Sequence, residues 1–183
     1  YNPIFAFMAV TEKIKAAIRD IPDFPEPGIL FKDITPIFQE PLLCREILDQ
    51  MAVEARILRP DVIVGVESRG FFFGLPLSWE LGIPFVPIRK KGKLPYETIS
   101  HAYDLEYGSA IIEMHSDAIA PGKRVLIHDD LLATGGTAYA SAELVRKCGA
   151  TGVGFSFLVE LKALGGRQKL NSFTEKFSTL ASY

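Results

Sequence analysis

The hydrophobic positions of this chain switch repeatedly between a helical and a strand period, and the switching predicts the architecture. Residues 11–20 carry Ile14, Ala17 and Ile18 at helical spacing behind Thr11, a residue suited to capping a helix. The stretch 21–27 holds three prolines and breaks that pattern. Residues 41–58 return to helical spacing, with Pro41 suited to a first turn and Pro60 just past the end. Val62-Ile63-Val64-Gly65-Val66 is a short β-branched run, the pattern of a strand buried on both faces. Gly70 to Leu81 predicts a helix closed by Gly82. Phe85-Val86-Pro87-Ile88 predicts the next strand, with Pro87 pointing to an irregular or edge position. Further strands are expected over 111–114, 124–127, 152–159 and 177–180, and helices over 137–148 and 164–170. Strands that alternate with helices imply an α/β fold, a central mostly parallel sheet flanked by helices. Ligands in such sheets bind beyond the C-terminal strand ends. Glu67-Ser68-Arg69, Arg89-Lys90 and Asp129-Asp130 each follow a predicted strand, so topology alone gathers them at one edge.

Composition narrows the picture. With 183 residues, 48% of them hydrophobic, the chain suits a single domain over 1–183 and does not suit disorder. A net charge of −2 argues against a nucleic-acid surface. Cys44 and Cys148 fall in helical patterns without a CxxC or Cys/His cluster, as expected for reduced thiols of a cytoplasmic protein rather than a disulfide or zinc site. The apolar start, Tyr1 to Val10, is too short to span a bilayer and lacks the charged beginning of a signal peptide, so no membrane partner is expected. Neither GxGxxG nor GxxxxGK[ST] occurs, which removes the usual dinucleotide and Walker readings.

The chemistry concentrates in His128-Asp129-Asp130-Leu131-Leu132-Ala133-Thr134-Gly135-Gly136-Thr137. Two carboxylates end a strand, and a small-residue loop then opens a helix. Backbone N–H groups and the helix dipole favour an anion there, while the glycines permit a tight turn and close approach to a phosphate. Asp129 and Asp130 would repel that phosphate, so sugar hydroxyls or a hydrated metal suit them better. One loop that holds a phosphate and a polyol points to a sugar phosphate. His128 beside them is expected to be a buried neutral imidazole facing away from Asp129. The basic residues Arg69, Arg89, Lys90 and Lys93 bracket two strand ends and suit a second, larger anion. The polar stretch 90–107 is longer than an ordinary connection and is expected to form a mobile flap.

This run resembles the donor-binding loop of the type I phosphoribosyltransferases. Glu67-Ser68-Arg69-Gly70-Phe71, Arg89-Lys90-Lys91-Gly92-Lys93-Leu94-Pro95, Leu105-Glu106-Tyr107-Gly108, Pro22-Asp23-Phe24-Pro25 and Gly28-Ile29-Leu30-Phe31-Lys32-Asp33 follow the order of the adenine phosphoribosyltransferases. The resemblance spans roughly 10–180 and begins just after Met8, so residues 1–7 are expected to be foreign to the natural chain. It implies purine salvage: adenine and 5-phospho-α-D-ribose 1-diphosphate give AMP and diphosphate, with Mg²⁺ held through the diphosphate and ribose rather than by dedicated protein ligands. It implies that Asp129 and Asp130 hold the ribose hydroxyls and that Ala133, Thr134, Gly135, Gly136 and Thr137 hold the 5′-phosphate. Ser68, Arg69, Arg89, Lys90, Lys93 and Tyr107 would take the diphosphate, with a cis peptide beside Ser68. Glu106 would handle the adenine proton. A hood over about 21–36, through Phe24, Leu30 and Lys32, would cover the base above Leu131, although Ile29-Leu30-Phe31 also suits a plain core strand. The flap would exclude water, and a homodimer is implied. Two other readings stay open here: a phosphoribosyltransferase for another purine, and a donor-sensing regulator on the same fold, for which no basic DNA-binding helix pair precedes residue 20.

Overall fold

The computed structural model describes residues 8–104 and 109–183, and the chain divides into two compact units after Gln50. In the first unit, α1 (Val10–Ala17) stops short of its predicted end. Ile21 precedes Pro22, and a proline ring disfavours helical geometry at the residue before it. The backbone instead becomes extended, and β1 (Arg19–Pro22) pairs antiparallel with β2 (Leu30–Asp33). Four mostly exposed residues leave no alternating pattern, which is why β1 is silent in the sequence. The loop between them is closed by Asp23 Oδ1, which accepts from the Gly28 N–H at 2.7 Å. Buried Lys13 is tolerated because Glu46 takes its ammonium at 2.8 and 2.7 Å. A 3-10 turn (Thr35–Gln39) leads into α2 (Pro41–Leu58), whose bounds match the expectation.

The second unit is built on β3 (Val62–Val66), β4 (Phe85–Lys90), β5 (Thr98–Asp104), β6 (Ser109–His115), β7 (Arg124–Leu132), β8 (Thr151–Glu160) and β9 (Phe177–Ser182). They form a seven-stranded sheet in the order β5-β6-β4-β3-β7-β8-β9. The run from β4 to β9 is parallel, and β6 and β5 are antiparallel at one edge. The helix α3 (Gly70–Leu81) lies on the face that carries Gly65 and His128. The helix α4 (Gly136–Lys147) packs on the opposite face, against Val64, Val66, Val125 and Ile127. Apolar burial on both faces explains the unbroken hydrophobic runs of β3 and of Val125-Leu126-Ile127. Among the described residues no helix is long and apolar enough to cross a membrane.

In the second unit three further expectations change. β4 is an interior strand despite Pro87. The Ile63 N–H donates to Pro84 C=O and the Glu67 N–H to Ile88 C=O, so the even-numbered residues of β4 face β3. Pro87 therefore turns its nitrogen toward β6, which pairs only at Arg89 and Lys90, and no ladder bond is missed. β7 continues through His128, Asp129 and Asp130 to Leu132, because its ladder to β8 persists to Leu132↔Glu160. The acidic pair thus lies within the strand rather than after it. Finally, 98–104 of the expected flap is regular strand, paired from Thr98↔His115 to Asp104↔Ser109. The partner strand supplies an order that the local composition does not announce.

Candidate active site

A cleft of about 430 Å³ opens at the C-terminal ends of β3, β4 and β7. It is lined by Val66, Glu67, Ser68, Arg69, Lys90, Tyr103, Ile112, Asp129, Asp130, Leu131, Ala133 and Thr137, from segments far apart in the chain. The Glu67–Ser68 peptide is cis. Next to it, Arg69 Nε stands 2.8 Å from Asp130 Oδ2. This is a charge contact without an aligned N–H, since that oxygen has no hydrogen-bond partner.

Glu67 organises the adjoining wall. Its carboxylate accepts from the Lys90 N–H at 2.8 Å and from Arg89 Nη2 at 3.1 Å. Partial burial pushes its pKa up, but these donors and the nearby positive charge outweigh it and hold the carboxyl below its usual range. Arg89 Nη1 also donates to the Lys93 C=O at 2.9 Å, so this guanidinium braces the turn and does not line the cleft. Lys90 lines it, and Lys93 is exposed outside the lining.

The acidic pair is the electrostatic centre. Burial, and then the neighbouring Asp130 charge, raises the Asp129 pKa well above the normal value, although its Oδ1 accepts from the Asp130 N–H at 2.9 Å. Burial also raises Asp130, against the pull of Arg69. Gly70, at the start of α3, allows this crowding: a Cβ there would lie 2.8 Å from the His128 C=O and 3.0 Å from Asp129 Oδ1. His128 itself is buried and neutral. Burial lowers its pKa to about 4, and Nδ1 lies 3.3 Å from Ser156 Oγ.

Beyond β7 the chain turns through Gly135, at φ 78°, into the N-terminus of α4. No L side chain fits here easily, because a Cβ on Gly135 would meet the Gly166 C=O at 2.8 Å. Gly166 presses back on the same loop, and a Cβ on it would overlap the Ala133 C=O and approach the Gly135 N at 3.0 Å. Gly166 opens α5 (Gly166–Leu170), which Arg167 ties to buried Glu160 at 3.0 and 2.6 Å. The first-turn amides of α4 lack helical partners of their own and are suited to an anion. Thr137 Oγ1 lies 3.2 Å from Tyr103 Oη.

Of the residues singled out in the sequence, Ser68, Arg69, Lys90, Asp129, Asp130, Leu131, Ala133 and Thr137 meet at this cleft. Thr134, Gly135 and Gly136 complete the turn without lining it. Glu106 and Tyr107, like residues 1–7, lie outside the described residues. Phe24, Leu30 and Lys32 belong to the first unit, where Phe24 and Leu30 are half exposed and buried Lys32 pairs with Asp20 Oδ1 at 2.6 Å. Sequence reasoning missed Tyr103, Gly166 and Glu113, and read Gly70 as a member of the Glu67–Phe71 segment and a helix start but not for its close approach to Asp129. Buried Glu113 accepts from the N–H groups of Gly92, Lys93 and Leu94 at 2.9, 3.1 and 3.1 Å and so shapes the basic turn. Of Tyr103, Gly166 and Glu113, only Gly166 left a trace, in the Gly165-Gly166 turn signal.

An acidic pair leading into a turn whose amides suit an anion, faced by basic groups at a parallel-sheet edge, is the arrangement a sugar-phosphate transferase needs. The family model of the phosphoribosyl transferase domain matches residues 37–178. The chain is 53% identical over 172 residues to the adenine phosphoribosyltransferase of Cytophaga hutchinsonii, covering 94% of this chain and 95% of that protein. Its structure is similar to that of adenine phosphoribosyltransferase from Thermoanaerobacter pseudethanolicus, with a TM-score of 0.91 and 47% identity over 94% of this chain and 99% of the other. It is also similar to the Saccharomyces cerevisiae adenine phosphoribosyltransferase complexed with D-2,5-dideoxy-2,5-imino-altritol 1,6-bisphosphate and adenine, with a TM-score of 0.88 and 42% identity over 93% and 98% of the two chains. The chain belongs to the phosphoribosyltransferase family, among its adenine phosphoribosyltransferases.

Proposed function

We propose that this chain joins adenine to 5-phospho-α-D-ribose 1-diphosphate and releases AMP and diphosphate, a purine-salvage reaction of the cytoplasm. The observation that carries the reading is the unbroken run from Asp129-Asp130 into the turn before α4, on one cleft with Arg69 and Lys90. In the reaction the C1′–oxygen bond to diphosphate breaks, adenine N9 bonds to C1′, and the N9 proton leaves. Asp129 and Asp130 accept hydrogen bonds from the ribose hydroxyls and favour the positive charge that develops on the sugar. The backbone from Ala133 through Thr134, Gly135 and Gly136, with the Thr137 hydroxyl, takes the 5′-phosphate. Ser68, Arg69 and Lys90 receive the diphosphate, with Arg89 bracing the turn that carries Lys93, and Tyr107 closing on the same anion. Glu106 takes the adenine proton. Phe24, Leu30, Lys32 and Leu131 serve the base, and the enzyme acts as a homodimer without nucleic-acid or membrane partners.

Mg²⁺ fits this chemistry. Among the described residues no group of three or more His, Cys, Asp or Glu side chains could hold a metal, yet Asp130 keeps an oxygen without a hydrogen-bond partner beside the cleft. The ion would be held by diphosphate and ribose oxygens, near the acidic pair, and would neutralise the departing diphosphate. Turnover with adenine, hypoxanthine and guanine at equal concentration tests the base assignment. Adenine is expected to dominate, and a preference for either oxopurine would replace this reading with another purine specificity.

A further inference from the structure

We infer that Tyr103 is a positioning residue of the monoester site, whose phenol donates to Thr137 Oγ1 and so leaves the threonine proton free to point at the phosphate. Tyr103 belongs to the cleft wall, and its oxygen lies 3.2 Å from the Thr137 hydroxyl. The inference rests on the reading of the Ala133–Thr137 turn as the 5′-phosphate site.

The argument is one of proton direction. A hydroxyl carries one proton and two lone pairs. If Thr137 donated to Tyr103, its lone pairs would face a doubly charged phosphate, which is repulsive. With a phosphate in the turn, the favourable chain runs from Tyr103 to Thr137 to the phosphate oxygen, and each bond polarises the next. The phenol is well placed for this. Tyr103 packs on the buried apolar cluster of the second unit, so its ring is not free to swing. Its backbone is paired with Ala110 of β6. A second tie, from Lys147 Nζ to the Ser100 C=O at 2.7 Å, holds β5 on α4. The threonine is likewise set, since its C=O accepts from Ser141 Oγ at 2.8 Å within α4.

Calorimetry on the full chain with ribose 5-phosphate, and separately with inorganic diphosphate, tests the inference in Tyr103→Phe, Thr137→Val and the double variant. Tyr103→Phe is expected to weaken ribose 5-phosphate about 3- to 10-fold, the scale of one hydrogen bond, and to leave diphosphate within about twofold. Thr137→Val should weaken ribose 5-phosphate further, and the double variant should match Thr137→Val, because the phenol acts only through that hydroxyl. Wild-type affinity of Tyr103→Phe for ribose 5-phosphate, losses that multiply in the double variant, or an equal loss for diphosphate would each overturn the role of Tyr103. Wild-type affinity of Thr137→Val would instead remove the phosphate assignment of the turn, and the inference with it.

Discussion

Replacing His128 by Leu should flatten the acid side of the stability profile. The imidazole is wholly buried between β7 and α3, with Nδ1 near Ser156 Oγ and Nε2 unpartnered. In the unfolded chain it takes a proton below about pH 6.5. In the folded chain burial, offset only in part by Ser156, keeps it neutral down to about 4. Across that window the unfolded state binds the extra proton, so this histidine makes stability fall as pH falls. One pH step of proton affinity is worth about 1.36 kcal/mol, so the full window carries roughly 3 kcal/mol, and the interval from pH 7 to pH 5 about 2 kcal/mol. The raised carboxyl groups of Asp129 and Asp130 act in the opposite sense, because the folded state holds their protons more tightly. They are present in both proteins, so the difference between wild type and variant isolates the imidazole. Urea unfolding at pH 7 and pH 5 is the assay. His128→Leu should lose about 2 kcal/mol less than the wild type between the two. Equal losses would refute the burial argument.

Asp130→Asn should lower kcat by about 10²-fold while changing donor affinity far less, because a full negative charge matters most when positive charge appears on the sugar; steady-state kinetics with both substrates would reveal an unchanged kcat. Gly166→Ala should weaken donor binding about 10-fold or more without touching any ligand, since its methyl group would displace the Ala133 C=O, and calorimetry with the ribosyl donor reads this directly. Glu113→Ala should cost about 1–3 kcal/mol of stability and free the amides of Gly92 and Leu94, which now share one carboxylate oxygen with that of Lys93; hydrogen exchange that stays slow at Gly92 and Leu94 would contradict it.

The interior of the fold was legible because its signals are local. The bounds of α2, β3 and α3 follow from apolar period, Pro41, Gly82 and a β-branched run, and the structure repeats them. The misreadings are long-range. β5 holds its shape through β6, and Pro87 is harmless only because of where pairing with β6 begins. At the cleft, the motif residues were readable because glycines and adjacent acids are rare in such a setting. Tyr103, Glu113 and the packing role of Gly70 were not, because each matters through a partner distant in the chain: Thr137, the 92–94 amides and Asp129. Arg69 and Arg89 look alike in sequence, yet one faces the acidic pair at the cleft and the other braces a turn.

That difference reflects two ways of handling charge at one sheet edge. In the turn before α4 the backbone would be the binding group for the proposed phosphate, and bulk is kept off it, since Gly135 and Gly166 meet almost backbone to backbone. Side chains there would obstruct the amides an anion needs. On the proposed reading Asp129 and Asp130 work through their side chains, and the fold holds both at an energetic cost visible in their raised pKa values. Two adjacent buried carboxylates are relieved by protonation, the direction of both raised pKa values, or by nearby positive charge, and Arg69 supplies one such charge. In the proposed reaction a ribosyl cation would supply another, so electrostatic strain in the resting site would be relieved in the transition state, where relief would accelerate the reaction.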